Sequence, residues 1–112
     1  MIARLKRLVG PMAASSGVIG TPPLRHTWVL RWVKFVNPTA APITFSLGLN
    51  GTANAQLIIQ PIIVQPNQSY REYMHVNLVG PQVDALIPAG ETVNLSVSGS
   101  GGTIVINGID LS

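Results

Sequence analysis

The side chains able to do chemistry in this sequence are few and far apart. His26 and His75 are the two imidazoles, and no acid stands beside either at the spacing a metal site needs. The carboxylates Glu72, Asp84, Glu91 and Asp110 are scattered rather than paired for acid and base work. Glu91 follows the turn "PAG", where a solvated carboxylate is expected. Serines fall in turns or on polar strand faces, with no G-x-S-x-G elbow to activate one. The glycines of "GSGG" at 99–102 lack the following helix and the lysine of a phosphate cradle, so a hairpin turn is expected there. Cysteine is absent, which excludes disulfides and thiolate metal ligands. The residues therefore predict a protein that is not an enzyme and takes no cofactor or metal.

The basic and aromatic residues say more. In "WVLRWVK", Trp28, Arg31, Trp32 and Lys34 crowd into one apolar stretch. Such a set can stack bases and meet phosphates, or it can form the centre of a protein interface, where tryptophan and arginine are favoured. The interface is the preferred reading, with one tryptophan able to fill the core, and nucleic acid is the disfavoured partner. The opening "MIARLKRLV" sets Ile2, Leu5 and Leu8 against Arg4, Lys6 and Arg7. So short a segment binds a membrane surface weakly, and a docking peptide that orders on a partner protein fits it better. Six of the seven cations precede Asn37 with no acid among them, while all four acids follow it with Arg71. That asymmetry suggests a basic arm for an acidic partner.

These residues must be carried by strands. At 112 residues the chain fits one domain. Only 10% of residues are charged, against about 25% in an ordinary domain. Gly, Pro, Ser, Thr and Asn separate short apolar runs, which reads as all-β. Residues 24–36 predict one long strand, whose mixed faces require either cover on both sides or a bulge near Arg31. "NPTAAP" then turns, with Asn37 bonding to the backbone beyond it. Ile43, Phe45, Leu47 and Leu49 alternate with Thr44, Ser46, Gly48 and Asn50, the pattern of a half-buried strand. Pro61 interrupts the next, which marks an edge strand or a bulge. Further strands are expected at 69–79, 85–87, 93–97 and 103–107, the last two joined as a hairpin. A short strand is offered by Val18 and Ile19.

The fold predicted is a single antiparallel, jelly-roll-like β-sandwich of seven or eight short strands at 24–112, with an extended basic arm at 1–23. The opening does not read as a cleaved signal, because Gly10 and Pro11 break the apolar stretch. No run reaches the roughly 20 apolar residues of a membrane-spanning helix. With 46% hydrophobic residues and few charges, a lone monomer would expose much apolar area, so a homo-oligomer, a trimer by preference, is expected.

The succession "VLRWVKFVNPTAAPITFSLGLNG", "VQPNQSYREY" and "ALIPAGETVNLSVSGSGGTIVINGIDL" resembles small β-sandwich virion proteins of tailed bacteriophages. The matching signatures are Asn37 before a small-residue turn, Pro66 to Ser69, Ala89 to Val93, and Gly108 to Asp110. The opening "ARLKRLVGP" is similar to the start of minor tail proteins in phages of high-GC hosts. Where such proteins often have Tyr-Thr-Val-Pro-Ala-Gly, this chain has "IGTPPLRHTW". The resemblance implies a structural virion protein at the tail, working through contacts with other virion proteins. A head decoration protein is the runner-up. From another class comes a carbohydrate-binding module for host attachment, since an exposed tryptophan on a β-sandwich can stack on a sugar ring.

Overall fold

The computed structural model describes residues 2–74 and 86–112. Its strands are β1 (Ala3–Ala13), β2 (Gly17–Gly20), β3 (Thr27–Asn37), β4 (Ile43–Leu49), β5 (Leu57–Val64), β6 (Gln68–Tyr73), β7 (Leu86–Pro88), β8 (Val93–Val97) and β9 (Thr103–Leu111). One sheet has the order β1-β9-β3-β6, with β7 also on β3; the other has the order β2-β8-β4-β5. β6 lies against Trp32–Asn37 and β7 against Thr27–Val29. The two are thus successive halves of one strand position along the same edge of β3. Counted so, eight positions among the described residues form two four-stranded sheets, and among them only β4 and β5 are joined as a hairpin within a sheet. Every other connection that changes position crosses between sheets, which is the arrangement of a jelly roll.

Leu30, Val33 and Phe35 from β3, with Ile104 and Ile106 from β9, meet Phe45, Leu47, Val93 and Leu95 from the second sheet. Phe35 and Phe45 stack across the gap with ring centroids 4.7 Å apart. The bulge expected near Arg31 is present. Leu30 faces Gly108 and Trp32 faces Asn107, so Arg31 is the extra residue. Burial changes phase there: Trp28 and Leu30 point inward before it, Val33, Phe35 and Asn37 after it. Pro61 lies in β5, at the edge of its sheet, where Gln60 and Pro61 together face the single residue between Phe45 and Leu47. Both readings of that proline hold at once. Asn37 bonds beyond itself as expected, accepting from the Thr39 N–H at 3.0 Å.

Four expectations are corrected. Residues 1–23 do not form an arm outside the sandwich: Ala3–Ala13 is a full strand of the first sheet, running from Ala3 opposite Leu111 to Ala13 opposite Thr103, and Gly17–Gly20 joins the second sheet. The free edge of β9 needs a partner for its backbone, and β1 supplies it. The hairpin expected at 98–102 is a crossing instead, because β8 already has β2 and β4 as neighbours and β9 has β1 and β3. β9 does not stop before Gly108 but runs on to Leu111. Gly108 sits inside the strand because a Cβ there would strike the carbonyl of Val29 and the side chain of Leu8. Finally, β3 begins at Thr27, after a turn in which Arg25 takes φ 68° and the His26 N–H bonds to the Pro23 carbonyl at 2.9 Å. The strand expected at 69–79 is seen as far as Tyr73; Met74 lies beyond its end, and 75–79, His75 included, lie outside the described residues, as does Asp84.

Candidate interaction face

Residues directly opposed in antiparallel strands project to the same side, so the registers define the outer face of the first sheet. Arg7, Asn107, Trp32 and Tyr73 form one row across β1, β9, β3 and β6. At a strand spacing of about 4.8 Å the row spans ~14 Å. The next row holds Val105, Lys34 and Arg71. Arg31, the extra residue of the bulge, shares Asn107 with Trp32 and is exposed. Four cations and two aromatic rings thus occupy one face.

The acids of the described residues lie elsewhere. Glu72 is opposite the buried Val33 and faces the other way, its carboxylate accepting a hydrogen bond from the Tyr70 hydroxyl at 2.7 Å. Asp110 faces inward and is 5% exposed. Glu91 is in the turn after β7. Among the described residues, then, this face carries positive charge alone, a condition that draws anionic partners.

The face is ordered by its own contacts. The Arg71 guanidinium carbon lies 4.5 Å from the centre of the Trp32 ring, a cation–π contact worth roughly 0.5–1 kcal/mol at an exposed site. Arg71 Nη1 also donates to the Tyr73 hydroxyl at 3.3 Å. Towards the β5–β6 turn the same face dips into a shallow cavity of about 310 Å³, lined by Lys34, Val36, Pro38, Asn67, Gln68 and Ser69 among others. Asn67 has φ 58°, and the Gln68 N–H bonds to the Gln65 carbonyl at 3.1 Å, which fixes that wall.

Of the residues expected to bind partners, Arg31, Trp32, Lys34 and Arg7 meet here. Trp28 does not: it is 6% exposed, packs in the core, and its indole Nε1 has no hydrogen-bond partner among the described residues. In an unbroken strand Trp28 and Trp32 would share a face; the bulge at Arg31 sends them to opposite sides. Arg71 and Tyr73 were not singled out in the sequence. Their two-residue spacing matches that of Trp32 and Lys34, but only the register shows that the two pairs are neighbours.

The β1 candidates divide. Leu8 is partly buried against the core. Ile2 and Leu5 are 54% and 64% exposed, and Leu5 points outward opposite Ile109. Arg4 and Lys6 stand on the inward side, beside Asp110 and Gly108. There Lys6 Nζ approaches Asp110 Oδ2 to 3.5 Å, and the His26 ring donates from Nδ1 to Asp110 Oδ1 at 2.8 Å. The hydrogen bond from His26 is the main influence holding the Asp110 carboxyl below its ordinary value; desolvation opposes it and Lys6 adds to it. This cluster ties β1, the turn before β3 and β9 together.

No family model matches the chain, and neither a curated protein nor a solved structure is found similar to it.

Proposed function

We propose that this chain is a structural virion protein of a tailed bacteriophage, foremost a minor tail component, that works by packing against neighbouring subunits, including copies of itself. A jelly roll serves viral coats, lectins and cupins alike, so the fold does not choose among them. The observation that carries the reading is the edge strand β1. It stands at the end of its sheet with Ile2 and Leu5 exposed and Arg4, Lys6 and Arg7 beside them. An edge strand with exposed Ile2 and Leu5 offers apolar surface to another chain, and Arg4 and Arg7 select an acidic one. The order of turn motifs, from Asn37 to the Gly108–Asp110 ending, supports the virion assignment.

Sedimentation of the purified chain tests the contact. An oligomer is expected, a trimer by preference, and Leu5→Asp should return it to a folded monomer with an unchanged circular-dichroism spectrum, since Leu5 points away from the core. A monodisperse wild-type monomer at micromolar concentration refutes the contact. An antibody label on intact particles tests the place: label at the tail supports the reading, and label over the head assigns the chain to decoration instead.

A further inference from the structure

We propose that the cavity beside Lys34 is a binding site for an acidic sugar unit, a carboxylate-bearing monosaccharide such as a hexuronate or a sialic acid. The lining supplies what such a ligand needs. Lys34 provides a cation for the carboxylate, Asn67 and Ser69 provide partners for hydroxyls, and Val36 and Pro38 give an apolar floor for the C–H face of a pyranose. Arg71 lies directly opposite Lys34 on the neighbouring strand; its guanidinium is held over Trp32, outside the cavity lining, and adds to the positive potential around the site.

The alternatives fit less well. A nucleic-acid base needs a free aromatic face, whereas the Arg71 guanidinium already lies over the Trp32 ring. An acidic peptide gains most from free backbone groups at a strand edge, whereas a sheet face offers side chains alone. The amide and hydroxyl lining suits a polyhydroxylated ligand. The site does not rest on the assembly reading: it lies at the Asn37 end of the first sheet, and Ile2 and Leu5 lie at the Thr27 end.

The test is titration calorimetry, or ligand-observed NMR where binding is weak, on the full chain. The probes are glucuronate and N-acetylneuraminate, with glucose and galactose as neutral controls, all at one ionic strength. Saturable binding of at least one acidic sugar is expected, with the neutral sugars at least tenfold weaker. Lys34→Gln should weaken the acidic sugar roughly tenfold or more, the size of one charge-assisted hydrogen bond. Ser69→Ala should weaken it by a smaller factor, and Lys6→Gln, distant from the cavity, should leave it unchanged. Circular dichroism of each variant reads folding separately. Equal binding of neutral and acidic sugars, no binding of any sugar at ~10 mM, or a Lys34→Gln variant that binds as wild type overturns the proposal. So does binding of an oligothymidylate or of polyglutamate by a chain that ignores both acidic sugars.

Discussion

Replacing Asn37 by alanine should be among the most damaging polar substitutions in this protein. Asn37 is fully buried at the end of β3. Its Nδ2 donates to the Val64 carbonyl at 2.9 Å, at the end of β5 in the other sheet, and to the Ala41 carbonyl at 2.7 Å across the turn. Its Oδ1 accepts from the Thr39 N–H at 3.0 Å and from the Thr39 hydroxyl at 2.6 Å. Both donors and both acceptor positions of the amide are therefore used. Alanine would strand the enclosed Val64 carbonyl, at about 1–3 kcal/mol, and remove bonds at the partly buried Ala41 and Thr39, at about 0.5–1 kcal/mol each. The expected loss is ~3 kcal/mol, or on the order of 10 °C in melting temperature for a domain of this size. Urea denaturation of wild type and variant measures it. Asn37→Asp sharpens the test, because at pH 7 it turns a carboxylate towards two carbonyl oxygens, and protonation at low pH restores one donor. Asn37→Asp should therefore lose more than alanine at pH 7 and recover part of the difference in acid. A loss below about 1 kcal/mol for alanine, or an aspartate variant as stable as wild type at pH 7, refutes the reasoning.

Asp110 gives a pH-dependent outcome. Its folded pKa is lowered, chiefly by His26, so its contribution is fully present well above the unfolded value of about 3.9 and is lost as pH falls through the folded value. Asp110→Asn should accordingly cost stability at pH 7 and progressively less towards pH 2, and His26→Ala should move the Asp110 titration, followed by carboxyl NMR shifts, back towards the ordinary value. Gly108→Ala should destabilise by about 2 kcal/mol or more, since the new methyl meets the Val29 carbonyl in a close-packed sheet; a thermal transition within 2 °C of wild type, roughly 0.5 kcal/mol, would show that the strands yield there.

What could be read in advance was local. The bulge at Arg31 was legible because a strand with tryptophans, leucine and cations on both sides must either be covered twice or change phase. Pro61 announced a break in its strand because it cannot donate to a ladder. The strand β1 was not legible. Register shifts on either side of Val9 erase its alternation, Leu5 points outward, and Arg4 and Lys6 point inward at positions where they remain exposed. Such a strand is indistinguishable in sequence from an arm. The crossing at 98–102 was hidden for a different reason: glycine and serine serve equally well to reverse a chain within a sheet or to carry it to the opposite one. Of the candidate face, Arg31, Trp32 and Lys34 were visible as one cluster. Their union with Arg7, Arg71 and Tyr73 depends on which strands pair, a long-range choice made by the whole core.

The position of β9 bears on how the protein comes into being. The strand last in order lies in the interior of its sheet, between β1 and β3. While the chain leaves the ribosome, β1 and β3 have no shared partner, and the first sheet stays divided until Thr103–Leu111 has emerged. The second sheet does not wait in this way, since all its strands precede β9. Folding should thus be governed by a late insertion that closes the longest loops among these strands. Until then Ile2, Leu5 and Leu8 remain accessible to chaperones and to other nascent copies, so the fate of each new molecule hangs on the arrival of β9.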